Sequence, residues 1–196
     1  ANVASNLVAL GAKAHIFGLV GDDGAGRRLA EELRKDKIGT EGLIIDSGRR
    51  TSVKTRILGQ NQQMIRVDRE NTEAIDYQRQ KDILSVLLDM SDSLDGVIVS
   101  DYSKGVIVED LFKEVVVRFR KLNKFIAVDP KLKNFPIYKK PTIITPNTKE
   151  AESALGRVFE CEADVMKGGI DLMKSTGADA ILITRSEHGM SLFEKG

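Results

Sequence analysis

Ile143-Ile144-Thr145-Pro146-Asn147-Thr148-Lys149-Glu150 decides the fold. Two β-branched apolar residues run into a proline turn, and Asn147 with Glu150 three residues on has the form of a helix start. The stretch predicts a strand that delivers its carboxyl end to a helix N-terminus. In an open α/β sheet that is where ligands bind, because first-turn N–H groups and the helix dipole favour an anion such as phosphate. The same residues also make a variant of the capping box, which starts a helix and needs no ligand. Repetition favours the ligand reading, since three other strands end in the same way.

Those strands are read at 96–100, 125–128 and 180–184, each apolar, with helices expected at 76–90, 108–122 and 163–175 and a return strand at 190–193. Apolar strands separated by helices argue a Rossmann-like, mostly parallel sheet with helices on both faces. The strands are followed by Asp101-Tyr102-Ser103-Lys104-Gly105, Asp129-Pro130-Lys131, Thr145-Pro146-Asn147 and Thr184-Arg185-Ser186-Glu187-His188-Gly189. If they are parallel, these clusters share one edge. That edge holds two lysines for phosphate oxygens, a hydroxyl and a carboxamide, and several carboxylates able to hold Mg²⁺ or its waters. Phosphoryl transfer needs such parts, because its catalysis is mostly positioning and the neutralising of spreading negative charge. Each cluster also has a plainer reading: Asp101 with Lys104 as a surface pair, Lys131 and Arg185 as solvated residues, His188 and the distant His15 as structural.

Composition narrows the class. With 196 residues, 41% of them apolar, the chain can bury a core, and 30 basic against 29 acidic residues give a net charge of +1. No overall field recruits nucleic acid or a membrane surface. Cys161 stands alone, which excludes an intrachain disulfide and a cysteine-based zinc site and fits a reducing cytoplasm. No apolar run approaches the ~20 residues of a membrane span.

Towards the N-terminus Val3, Leu7, Val8 and Leu10 are expected on one helix face with Gly11 as its stop. No cap precedes this helix, so residues before Ala1 are expected. A strand at 14–20 then leads into Gly21-Asp22-Asp23-Gly24-Ala25-Gly26-Arg27-Arg28. The spacing is that of a phosphate loop, but arginines stand where Lys and Ser/Thr are required, so the glycines read as a turn. From about Leu43 to Asp68 the pattern becomes antiparallel, with a hairpin turning at Gly59-Gln60-Asn61-Gln62. A lid over a site, or an oligomer contact, is the natural use of such an insertion. Its string Lys54, Arg56, Gln62, Gln63, Arg66 and Asp68 suits a polyhydroxyl substrate or plain solvent.

Taken together, Asn2-Val3-Ala4 with Leu10-Gly11-Ala12, Gly18-Leu19-Val20-Gly21-Asp22-Asp23 with Gly26, Arg56 with Asn61 to Arg66, and the four strand-end clusters in order resemble the ribokinase-like, or PfkB, carbohydrate kinases over nearly the whole chain. The likeness is greatest to the subgroup that phosphorylates D-glycero-D-manno-heptose 7-phosphate. It implies one partial ribokinase-like domain over 1–196 with a lid hairpin at about 43–70, and transfer of the ATP γ-phosphoryl to the anomeric hydroxyl, giving the 1,7-bisphosphate in ADP-heptose and lipopolysaccharide-core biosynthesis. It implies Asn2 on sugar hydroxyls, Arg66 and Asp68 on the sugar phosphate, and Lys104 near the transferred phosphoryl. Asn147, Thr148, Lys149 and Glu150 would line the ATP phosphates, Glu150 acting on Mg²⁺ through water. Thr184, Glu187 and Gly189 would lie along the nucleotide.

Lid hairpins of the family often pair between subunits, and its kinases can carry a nucleotidyltransferase domain. The family's catalytic aspartate lies in a Gly-Ala-Gly-Asp segment, and none occurs here. The resemblance thus implies a fragment lacking both ends of the family domain and inactive as it stands. A PfkB kinase of another sugar or a nucleoside, and a non-catalytic binding module of the same fold, remain open on the residues alone.

Overall fold

In the computed structural model, which describes residues 1–59 and 62–195, the chain divides into two compact units, Ala1–Leu87 with Lys104–Val106, and Leu88–Ser103 with Ile107–Gly196.

The first unit opens with α1 (Asn2–Ala9), which has no side-chain cap and ends where Gly11 adopts φ 90°. Leu10 is 84% exposed, so the expected apolar face stops short of it. Next come β1 (His15–Gly21), α2 (Gly24–Lys35) and β2 (Gly39–Asp46), with β2 parallel to β1. Leu33 of α2, Val20 and Ile38 are buried here. The sequence had placed Leu43 to Asp46 in the antiparallel insertion; pairing with β1 returns them to a β-α-β unit. The hairpin itself is β3 (Val53–Gly59) against β4 (Gln62–Arg69). The expected turn residues Gln60 and Asn61 lie outside the described residues.

The glycine-rich stretch, read as a turn, is a bend of two residues, Asp22 and Asp23: Gly21 ends β1, and Gly24 to Gly26 already belong to the first turn of α2. Asp23 caps α2: its Oδ1 accepts from Gly26 N at 2.8 Å and its Oδ2 from Thr51 N at 3.0 Å. Thr51 Oγ1 in turn accepts from Gly21 N at 2.9 Å. A Cβ on Gly26 would sit 2.5 Å from Gly21 O and 2.9 Å from Thr51 Oγ1, so glycine is required by close approach of backbone.

α3 (Tyr77–Met90) runs from the first unit into the second. There follow β5 (Gly96–Ser100), α4 (Glu109–Lys121), β6 (Phe125–Asp129), β7 (Ile143–Ile144), α5 (Thr148–Leu155), α6 (Glu162–Thr176), β8 (Ala180–Thr184) and β9 (Met190–Glu194). The strands form one sheet in the order β5-β6-β7-β8-β9, parallel except for β9, which returns antiparallel beside β8. The α/β class read from the sequence is therefore observed. Leu111, Phe112, Val115, Val116 and Phe119 recur along α4 at helical spacing and are buried. With Ile126, Val128, Ile144, Ile181 and Ile183, all fully buried, they make the core. At ~25 cal/mol per Å² of apolar surface, each such side chain contributes about 1.5–3 kcal/mol. The register sets Ser100 beside Asp129, Val128 beside Ile144, and Ile144 beside Ile181, so four carboxyl ends share one rim. Among the described residues no helix is long and apolar enough to cross a membrane.

The Thr51 and Gly26 amides hold the Asp23 carboxyl down to about 2, from 3.8. A depressed acid contributes stability above its unfolded value and loses it as the pH falls through its folded one. Urea midpoints of the wild type should therefore fall more steeply than those of Asp23→Asn between about pH 4 and 2. Parallel curves would contradict this assignment.

Candidate active site

The rim of the second unit is built on the start of α5. Asn147 is extended (φ −78°, ψ 170°), which turns its side chain over the first helical turn, where Oδ1 accepts from Glu150 N at 2.9 Å. The Glu150 carboxylate returns the contact, its Oε2 accepting from Asn147 N at 3.1 Å. Both halves of the capping box are thus formed. The N–H groups of Thr148 and Lys149 have no protein partner among the described residues, which leaves two donors at the positive end of the helix. Capping therefore leaves two first-turn amides able to meet an anion.

β8 closes against this start. Thr184 N donates to Pro146 O at 2.9 Å, Asn147 bridges Thr184 in parallel fashion, and Thr148 Oγ1 donates to Thr184 O at 3.3 Å. Beyond Thr184 the loop is folded rather than loose. Arg185 N donates to Gly189 O at 2.8 Å, and Gly189 takes φ 75°, ψ −130°, which side chains other than glycine's disfavour. Arg185, read as solvated, is instead clamped: its guanidinium forks onto Glu162 at 2.8 and 2.5 Å and reaches Ser191 Oγ at 3.0 Å. That contact raises its pKa and lowers that of Glu162. Glu187 and His188 are exposed, 3.8 Å apart.

From β6, Lys131 Nζ lies 2.5 Å from Glu150 Oε1, so one carboxylate serves the cap and the lysine together. Burial pushes the Asp129 carboxyl up; Lys131 opposes this, and Glu150 and Asp101 add to it. From β5, Asp101 is 2% exposed and accepts from Ser103 N at 2.7 Å, Asn134 Nδ2 at 2.7 Å and the Tyr138 hydroxyl. Burial, then the bond to Asp101, pushes the Tyr138 phenol well above its ordinary range. Asp101 was expected as a surface partner of Lys104 or a cation-holding carboxylate. Both its oxygens are consumed in fixing the loop after β5.

The remaining expected residues belong to the first unit. Lys104 pairs with Glu70, and Arg49 holds its carbonyl at 2.9 Å together with those of Glu73 at 3.1 Å and Asn71 at 3.2 Å. On the hairpin Arg66 stands directly opposite Arg56, and Lys54 opposite Asp68. Arg66 Nε lies 3.1 Å from Asp68 Oδ1 without hydrogen-bond alignment, so that oxygen and Glu70 Oε2 are buried acceptors with no hydrogen-bond partner among the described residues. Asn2 is exposed at the start of α1. The structure thus gathers Asn147, Thr148, Lys149, Glu150 and Thr184 at one point of the rim, with Glu187 and Gly189 on the adjoining loop. Sequence reasoning missed Arg49, the Asp101–Tyr138–Asn134 cluster and the clamp on Arg185.

No group of three His, Cys, Asp or Glu able to hold a metal occurs among the described residues. Glu150 and Asp129 are two carboxylates at one rim. Magnesium keeps several waters and is held by one or two carboxylates plus substrate phosphates, so this donor set fits it.

Comparison with known proteins finds relatives along the whole chain. The model of the pfkB family carbohydrate kinases matches residues 1–196. A bifunctional protein HldE of Desulfatibacillum aliphaticivorans is 40% identical over 195 residues, covering 100% of this chain and 40% of that protein. Its counterpart from Helicobacter pylori is 39% identical over 197 residues, covering 100% and 42%. The chain therefore spans about two fifths of the length of the curated relatives it matches. Among solved structures, phosphofructokinase-2 from Escherichia coli in complex with substrates and products superposes with a TM-score of 0.76 at 16% identity, covering 100% of this chain and 63% of that one. The same enzyme with fructose-6-phosphate gives 0.75 at 14% identity, covering 99% and 64%. Likeness at such identity carries the fold alone.

Proposed function

The chain belongs to the pfkB family of carbohydrate kinases, and we propose that it supplies the nucleotide rim and the sugar-side hairpin of an ATP-dependent, cytoplasmic kinase. Its acceptor is D-glycero-D-manno-heptose 7-phosphate, phosphorylated at the anomeric hydroxyl to the 1,7-bisphosphate that leads to ADP-heptose and the lipopolysaccharide core. The observation that carries the kinase reading is the start of α5, where two N–H groups without a partner among the described residues and the Lys131–Glu150 pair meet the end of β8.

In this reading the amides of Thr148 and Lys149 and the Lys149 ammonium bind nucleotide phosphate oxygens. Asn147 holds the helix start that aims them. Thr184, Glu187 and Gly189 flank the nucleotide, the Arg185 clamp keeping their loop in shape. Bound Mg²⁺ would neutralise phosphate charge, with Glu150 and Asp129 holding its waters. Lys104, anchored through Arg49, attends the transferred phosphoryl, and no residue of this chain is assigned as the base for the hydroxyl proton.

The heptose assignment rests on the hairpin. Arg56 and Arg66 stand opposite one another with Lys54 on the same face, and the one carboxylate of Asp68 beside Arg66 and Lys54 leaves positive charge in excess, which makes the two arginines a natural grip for a sugar phosphate. Asp68, which the resemblance sets on the sugar phosphate, would repel that group as a carboxylate; its Oδ1 and Glu70 Oε2, without a hydrogen-bond partner among the described residues, suit sugar hydroxyls, and Asn2 is assigned the same role. The opposite hairpin face pairs Ile57 with Ile65 and places Val67 beside them, all at least 41% exposed. A two-stranded hairpin is marginal unless such a face is covered. A second copy of the hairpin covers it in a homodimer.

Arg66→Ala should raise KM for heptose 7-phosphate by about tenfold or more, the scale of one charge-assisted hydrogen bond, and leave KM for the unphosphorylated sugar unchanged. Equal KM for the two sugars in the wild type would favour the rival reading, a kinase of another sugar or a nucleoside. Light scattering at micromolar concentration should give twice the monomer mass for the intact wild type and the monomer mass for Ile57→Lys with Ile65→Lys. A monomeric wild type would remove the hairpin interface.

A further inference from the structure

We propose that Lys131 is an exchangeable counter-ion: it holds the Glu150 carboxylate while the site is empty and passes to a nucleotide phosphate when the nucleotide enters with its cation. This inference rests on the kinase reading above and adds a residue that reading does not assign.

Glu150 has little freedom. Its side chain is 12% accessible, and Oε2 is committed to the Asn147 amide. Oε1 therefore has to meet any metal-bound water, and in this structure Lys131 Nζ takes it at 2.5 Å. Lys131, by contrast, is 39% accessible and carries its charge on a flexible four-carbon stem. The pair has one end fixed by a helix cap and one end able to swing.

Charge balance gives the exchange its direction. Lys131 faces Glu150 and Asp129, so an empty rim sets one ammonium between two carboxylates. A cation beside Glu150 removes the need for the ammonium there, and the incoming phosphates supply a new partner within the reach of a lysine side chain. Among the rim's other cations, Arg185 cannot take this part, because both arms of its guanidinium are held on Glu162. Lys149 has no carboxylate partner to leave among the described residues.

The exchange makes a prediction of opposite sign for the two partners. Titration calorimetry of the intact protein with ADP is carried out once in EDTA and once with excess Mg²⁺. In EDTA, Lys131→Met should weaken ADP binding about tenfold, since Glu150 and Asp129 then face the incoming phosphates with no ammonium between them. Glu150→Gln should tighten it by several-fold, since Lys131 is released; glutamine at this position still completes the capping box, so the fold is kept. With Mg²⁺ the order reverses for Glu150→Gln, which should gain less from the metal than the wild type. If the pair merely pins α5 to β6, both variants weaken metal-free binding, and the exchange is overturned. Wild-type protein that binds no ADP in either buffer would instead overturn the kinase reading itself.

Discussion

A carboxylate that caps a helix is not free to do much else, and the rim of the second unit is arranged around that constraint. Glu150 closes the capping box with Asn147, lies at the positive end of α5 and accepts Lys131 from the neighbouring strand. The cap is of the kind worth about 1 kcal/mol. The ion pair, with its lysine more than a third exposed, adds less than that once screened. What the box provides is placement: it fixes where the first-turn amides point. Because Thr184 is hydrogen-bonded to Pro146 and Thr148, it also fixes where β8 hands over to its loop.

A second anchor works by burial. Asp101 would be costly in the interior without donors, and it has three: an amide, a carboxamide and a phenol. Together they tie the end of β5 to the segment after β6. The aromatic ring of Tyr138 meets Phe112 edge-on at 5.4 Å, so the polar anchor is joined to the apolar core under α4. In the first unit Arg49 plays the comparable part, gathering three carbonyls that no secondary structure satisfies. Each anchor acts on a segment that carries a proposed functional residue, while making no proposed contact with a ligand itself.

How much of this was legible follows from the range of each interaction. The four parallel strands of the sheet were readable because they are short, nearly continuous apolar runs between helices, and α5 because its cap residues lie three apart. β2 was hidden: Gly39-Thr40-Glu41-Gly42 has no strand pattern, and the apolar pair Ile44-Ile45 merged with the hairpin that follows. Asp101 and Tyr138 are 37 residues apart, and Lys131 and Glu150 are 19 apart, so only the fold brings them together. The sequence offered both lysines and all the rim carboxylates as candidates, yet it could not say which were already spent on one another. Arg185 misled for the same reason, since its partner Glu162 lies 23 residues earlier on α6.

The central claim is that the carboxyl ends of the parallel strands, focused on the start of α5, hold the nucleotide. Amide shifts of the isotope-labelled intact protein, followed as ADP and Mg²⁺ are added, test it most directly. The account predicts the largest changes at Thr148, Lys149, Thr184, Glu187 and Gly189. Changes confined to the opposite strand ends, at Phe125, Ile143 and Ala180, would contradict it.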